Sequence, residues 1–198
     1  DLLFSGNDHT LINAQHDLIL NSAAEGIIGL DLQGNHTFVN PAAARLLGYE
    51  PEELIGRPSH SLWHHTKADG SPYPKEECNI YATYRDGKVH HSPDEVFWRK
   101  DGTSFPVEYD STPIYEAGRL VGAVVTFMDI SIRKQAEVAL RASEHQYREL
   151  FESSSDALLL LASDTGQIID VNPMASVLYG YERDELLARQ STDLSAEP

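Results

Sequence analysis

Residues Gly34 to Leu62 read GNHTFVNPAAARLLGYEPEELIGRPSHSL, and residues Gly166 to Leu194 read GQIIDVNPMASVLYGYERDELLARQSTDL. A shift of 132 positions lays one stretch on the other. From Gln33 onward, 14 of 30 aligned pairs are identical, among them Asn40/Asn172, Pro41/Pro173, Gly48/Gly180, Tyr49/Tyr181, Glu53/Glu185 and Leu54/Leu186. That density is far above chance, so the chain carries one whole unit and the opening of a second.

The repeated stretch can be read residue by residue. Apolar residues from Gly26 to Leu32 lead into Gln33-Gly34-Asn35, a turn whose residues tolerate positive φ. Phe38 and Val39 form a second short strand, giving a hairpin. Asn40-Pro41 then starts a helix: Asn accepts a bond from a free backbone N–H, and Pro suits the first helical position. Ala43, Leu46 and Leu47 recur at helical spacing, and Gly48 is placed to end the helix. Pro51-Glu52-Glu53-Leu54 opens a further short helix with its acids in the first turn, where the helix dipole favours them.

This order of strand, turn, strand, N-P helix, G-Y and E-E-L resembles the PAS sensory domain family. The resemblance continues through Trp98-Arg99-Lys100-Asp101-Gly102 and the ending Gly122–Ser131, similar to the family's closing strand and Asp-Ile-Thr signature with Ser131 in place of Thr. It covers roughly Asn21 to Arg133, and resumes from Leu150. It implies an α+β fold: a five-stranded antiparallel sheet with short helices on one face, an N-terminal helix and a long linker helix leading to a truncated second unit. The expected organisation is an N-terminal flanking helix over 1–20, a first PAS domain over 21–130, a linker helix over 131–152 and an incomplete second domain over 153–198.

Composition bounds the function classes. Basic residues number 15 against 31 acidic, a net charge of −16. By segment this is −10 for 1–130, zero for 131–152 and −6 for the remainder, so no part is basic. Nucleic acid and anionic lipid are therefore not expected as direct partners. The single Cys78 has no internal disulfide partner, which fits a reducing, cytoplasmic setting. No run reaches the roughly 18–20 apolar residues of a membrane span. The chain starts with Asp1, so it is expected to be an excerpt whose anchor or output domain lies outside it.

Elsewhere, Leu11, Ile12, Leu18 and Ile19 predict an amphipathic helix from His9 to Ala24, covering its own sheet or serving as a dimer face. Arg57 to Pro74 reads mostly as loop with a short helical turn. Lys75 to Asp86 reads as a helix with Ile80, Tyr81 and Tyr84 on one side. Asp94–Lys100, Thr103–Tyr115 and Leu120–Ile130 are rich in β-formers and complete the five strands. Ser131 to Glu152 has no Gly or Pro, and Ala136, Leu140, Ser143, Tyr147 and Leu150 recur at 4-3-4-3 spacing, the seam of a coiled coil. A homodimer through the N-terminal and linker helices follows as the expectation. The second unit, without equivalents of Lys75–Ile130, is expected to pair with a neighbouring chain or pack poorly.

Chemistry-bearing motifs are few. His64-His65 with Asp69, and His90-His91 with Asp94, are candidate ligand sets. Adjacent histidines on a strand face opposite ways, and neither HExxH nor paired CxxC accompanies them, so no metal site is assigned. Cys78 lies in Glu-Cys-Asn-Ile, unlike the Asn-Cys-Arg-Phe context of flavin-reactive PAS relatives. It reads as a packed residue or a redox-responsive thiol. The helix over 75–86 has no His to serve as a haem ligand, so haem is not expected. His145 lacks the acid and Pro that follow a phosphoacceptor histidine. No catalytic residue is assigned.

The resemblance implies a pocket between the sheet and the helix at 75–86, with Trp63, Tyr81, Tyr84, Phe97, Trp98, Phe105 and Tyr109 as candidate walls. Such a pocket would hold a flavin or a small metabolite, or the same side chains would fill the core. Asp129 and Arg133 match the family's junction residues, and a carboxylate–guanidinium contact between them would couple sheet to helix. The expected function is the sensory module of a histidine kinase or cyclic-dinucleotide enzyme, with the output domain on the same polypeptide. The alternative is a ligand-free dimerisation and relay module.

Overall fold

The computed structural model describes residue 15 and residues 18–194. Two compact units meet in sequence between Lys134 and Gln135. Residues 18–22 are helical with Leu18 and Ile19 exposed; the start of the helix expected from His9 lies outside the described residues.

In the first unit, β1 (Gly26–Asp31) and β2 (His36–Val39) form the expected hairpin. Its turn is held by Asp31, whose Oδ1 accepts from the backbone N–H groups of Gln33 and Asn35. Helix α1 (Pro41–Leu47) starts on Asn40, whose Oδ1 accepts from Ala43 N–H at 2.9 Å. It ends on Gly48, whose φ of 72° is the left-handed conformation that a side chain would strain. Helix α2 (Pro51–Leu54) opens with a reciprocal capping box between Glu50 and Glu53, and α3 (Ser59–Trp63) follows.

The helix expected over Lys75–Asp86 is broken. A 3₁₀ turn spans Lys75–Glu77, Cys78 is extended (φ −73°, ψ 123°), and α4 runs from Asn79 to Asp86. Cys78 thus occupies the N-cap position rather than a helical one. Strand β3 (His90–Trp98) starts earlier than expected, because His90–Ser92 pair with Ser111–Tyr109 before the ladder shifts around Pro93, which has no N–H to donate. With β4 (Ser104–Glu116) and β5 (Arg119–Asp129), the sheet order is β2-β1-β5-β4-β3, antiparallel throughout.

Alternation along β4 buries Phe105, Val107, Tyr109 and Ser111 on one face. That face packs with Ile28, Leu30, Phe97, Val125 and Phe127 against Ala43, Leu47, Leu54, Trp63 and Ile80. Each large side chain so buried contributes on the order of 1.5–3 kcal/mol. On β5, a Cβ at Gly122 would lie 2.1 Å from the Leu30 carbonyl oxygen, so only glycine lets β1 and β5 approach there. Helix α5 (Ser131–Ser153) leaves directly from the end of β5.

The second unit contains β6 (Leu159–Leu161), β7 (Ile168–Val171), α6 (Pro173–Tyr179) and α7 (Arg183–Leu187). Ile168, Val171, Ala175 and Leu186 form its small core. Among the described residues, no helix is long and apolar enough to cross a membrane.

Candidate functional site

The seven aromatic side chains expected to wall a pocket divide three ways. Trp63, Phe97, Phe105 and Tyr109 are buried and pack on one another, with ring centroids 4.5 Å apart for Trp63–Phe97 and 5.3 Å for Phe97–Tyr109. They fill the core. Trp98, next along the pleat, turns elsewhere: its Nε1 donates to the Thr66 carbonyl at 2.7 Å and its ring stacks on His65. Tyr81 and Tyr84 border a cavity of about 20 Å³, shared with His60, His64 and Cys78. That is room for one water-sized species, against the roughly 300 Å³ or more of a pocket for a flavin-sized ligand.

The chemistry concentrates at this cavity. His60 and His64 lie one helical turn apart, at the start of α3 and just past its end, so both rings come to one side. Cys78 arrives from the N-cap of α4. Its Sγ lies 3.3 Å from His64 Nδ1, with the thiol and the ring both nearly inaccessible (2% and 1% exposed). The other nitrogen of His64 meets Glu95 Oε2 at 2.7 Å, and Glu95 Oε1 accepts from the Tyr109 hydroxyl at 3.2 Å. His60 Nε2 meets the Tyr73 carbonyl oxygen at 2.8 Å. A carbonyl only accepts, so His60 Nε2 carries a proton, and in the neutral ring Nδ1 is left with a lone pair. That Nδ1 and the Tyr84 hydroxyl are buried with no protein partner.

Charge follows this geometry. Burial pushes the Cys78 thiol up, but the His60 and His64 imidazoles beside it bring it down to about 6. Burial pulls His64 down, and Cys78 and Glu95 more than compensate, leaving it raised. Burial also raises the Glu95 carboxyl, which His64 holds below its ordinary value. Cys78, His64 and Glu95 thus form a hydrogen-bonded thiol–imidazole–carboxylate row in the interior of the unit.

Neither ligand set considered from the sequence converges. His65 bonds Thr66 Oγ1, and Asp69 caps its own turn through Ser71. His90 pairs with Asp86, His91 with Asp110 and Asp94 with Lys134. Neighbours in sequence were separated because the backbone sends them to different surfaces. His60 and Glu95, which do converge with His64 and Cys78, were missed. The His60–His64 spacing of four was the available signal, in a segment read as mostly loop.

At the sheet–helix junction, Asp129 and Arg133 do not meet each other. Asp129 Oδ1 accepts from Ser131 N–H at 2.8 Å, capping α5, and its Oδ2 accepts from Arg99 Nη2 at 3.1 Å. Capping turns the carboxylate back toward the strand end, away from residues one turn along the helix. Arg133 pairs instead with Glu108 on β4 at 2.7 Å. Arg99 is the residue that was overlooked. Its Nε donates to the Leu46 carbonyl and its guanidinium lies over Phe105, 4.2 Å from the ring centroid, so it ties α1, β4 and the start of α5 together.

Comparison with known proteins agrees with the fold. A family model described as "PAS fold" matches residues 14–130, and one described as "PAS domain" matches 145–197. The signal transduction histidine-protein kinase AtoS of Escherichia coli is 32% identical over 130 residues, which are 65% of this chain and 20% of AtoS. The probable diguanylate cyclase DgcE of the same organism is 28% identical over 148 residues, 74% of this chain and 12% of DgcE. The chain therefore spans a fifth or less of these two relatives. The PAS domain of an HTR-like protein from Haloarcula marismortui superposes with a TM-score of 0.51 at 16% identity, covering 63% of this chain and 96% of that one.

Proposed function

The chain belongs to the PAS family, and on that premise we propose that it is the sensory input module of a multidomain signalling protein, controlling a histidine kinase or cyclic-dinucleotide enzyme on the same polypeptide. The relatives that support this reading are a signal transduction histidine-protein kinase and a probable diguanylate cyclase, of which the chain matches a fifth or less. The observation that carries the reading is the double engagement of Asp129, which caps α5 while gripping Arg99. Any change that moves Arg99, through α1 or the β3–β4 hairpin, pulls on the cap of the helix that leaves the unit.

The apolar seam of α5 supports output through a homodimer. Leu140, Tyr147 and Leu150 are all exposed, as a partner helix requires. A single free Cys78 fits a cytoplasmic setting. A second reading, a ligand-free relay module, draws support from the packed aromatic core. Mass spectrometry of a denatured extract separates the two, since a stoichiometric small molecule favours the sensor and its absence the relay.

The test of the junction exchanges this chain for the matching stretch of AtoS. Asp129→Ala is expected to change autophosphorylation several-fold while the fluorescence of buried Trp63 stays native. Wild-type autophosphorylation, or loss of the fold, would overturn the reading.

A further inference from the structure

We propose that His60, His64 and Cys78 bind a single thiophilic transition-metal ion of the zinc class, with one coordination position left for water. The inference goes beyond the signalling reading and does not depend on it. One ligand atom from each of the three residues lies within 4.8 Å of the others, and the Cys78–His64 pair is already at 3.3 Å. A tetrahedral ion with Zn–S of about 2.3 Å and Zn–N of about 2.0–2.1 Å needs these edges near roughly 3.5 Å. Small side-chain rotations close the set, because all three residues border the same cavity.

The surroundings are those of a metal site. Both histidines have their outer nitrogen occupied, His64 by the Glu95 carboxylate and His60 by the Tyr73 carbonyl, which turns each Nδ1 inward as a ligand. His60 Nδ1 is buried without any partner, and so is the Tyr84 hydroxyl across the same space. A buried lone pair without a donor is costly, and an ion removes that cost. The cavity of about 20 Å³ admits one water as fourth ligand, within the reach of Tyr84.

Ligand chemistry selects the ion. A thiolate with two imidazoles suits zinc or cobalt and disfavours magnesium and calcium, which prefer oxygen donors. Binding replaces the one proton shared between Cys78 Sγ and His64 Nδ1, which leaves to solvent. The dication then faces the Cys78 thiolate directly and the Glu95 carboxylate through His64, so the buried charges balance. An ion here would pin the α3 segment to the N-terminus of α4.

The test uses the whole chain, reduced and stripped with chelator, then titrated with Co²⁺. Expected are one equivalent bound, a thiolate-to-cobalt charge-transfer band, intense tetrahedral visible bands, and displacement by Zn²⁺ but not by Mg²⁺. Cys78→Ser should abolish the charge-transfer band. His60→Ala, at a half-buried ring whose loss spares the core, should keep native tryptophan fluorescence and still lose tight binding. Glu95→Gln touches no ion and should weaken binding about 10- to 100-fold. No band at saturating cobalt, meaning that water alone fills the cavity, overturns the proposal. So does a band that survives both ligand substitutions, or one lost on replacing His90 and His91 instead.

Discussion

The two copies of the N-P-to-E-E-L stretch differ in burial far more than in local structure. Asn40 Oδ1 accepts from Ile27 and Ala43 N–H, and Asn172 Oδ1 accepts from Leu158 and Ala175 N–H. Both short helices end on a left-handed glycine, φ 72° at Gly48 and 73° at Gly180, and both are followed by a glutamate capping box. Yet Leu47 is 0% exposed and its counterpart Tyr179 36%. The strand registers place Leu161 opposite its hairpin partner as Leu30 is in the first copy, one position off the ungapped alignment, because the second turn is one residue longer. Leu30 is 1% exposed and Leu161 42%. Caps and turns are encoded within 30 residues; burial is supplied by β3, β4, β5 and α4, which only the first copy has among the described residues.

The largest effect that tests this contrast comes from truncating the paired helix positions. Leu47→Ala should destabilise the first unit by about 2–5 kcal/mol, the range for emptying a packed core site. Tyr179→Ala should cost under about 1 kcal/mol, because that ring has little to lose. Urea unfolding followed by tryptophan fluorescence reads the first unit, since Trp63 and Trp98 are the only tryptophans, and hydrogen exchange at Leu158 and Ala175, both bonded to Asn172, reads the second. Equal losses for the two variants would mean that the second copy is buried as deeply as the first.

A smaller effect is expected at the shared cap. Asn40 also donates through Nδ2 to the carbonyls of Leu20 and Glu25, while Asn172 donates to that of Asp156. Asn40→Ala therefore leaves the buried Ala43 N–H, the half-buried Ile27 N–H and two carbonyls short of a partner, a loss of about 2–3 kcal/mol. Asn172→Ala should leave the tryptophan transition in place and only speed hydrogen exchange at Leu158 and Ala175. A shift of the tryptophan midpoint in Asn172→Ala would show that the units unfold together.

What was legible in the sequence divides along the same line. Asn40-Pro41, Gly48, the capping glutamates and the gap-free 131–152 run act through neighbours a few residues away, so their elements could be placed from composition and spacing. The cavity cluster could not. His60, His64, Cys78 and Glu95 come from three elements spread over 36 positions, and which imidazole turns inward is decided by the packing of α3. Arg99 sits in the Trp98–Gly102 motif, but its grip on Asp129 joins residues 30 apart. Such pairs appear only once the sheet closes.

The smallest effect is the one that proton linkage isolates. His36 in the first copy corresponds to Ile168 in the second, and both are buried. Trp63 Nε1 donates to His36 Nε2 at 2.8 Å, while His36 Nδ1 meets the Arg57 carbonyl oxygen at 2.6 Å. The ring must therefore stay neutral with its proton on Nδ1. Burial lowers its pKa from the ordinary 6.5, despite the opposing carbonyl bonds. The unfolded chain then takes up a proton near pH 6.5 that the folded chain refuses. Stability from this group is complete above that pH and falls as the pH drops toward the folded value, by at most about 1.4 kcal/mol per pH unit. His36→Asn should flatten the decline in the tryptophan-monitored midpoint between about pH 6.5 and 5.5 relative to wild type. His64, whose raised pKa has the opposite sign, is present in both proteins and drops out of the difference. An unchanged slope would place the acid sensitivity elsewhere and remove His36 from the features that set the first copy apart.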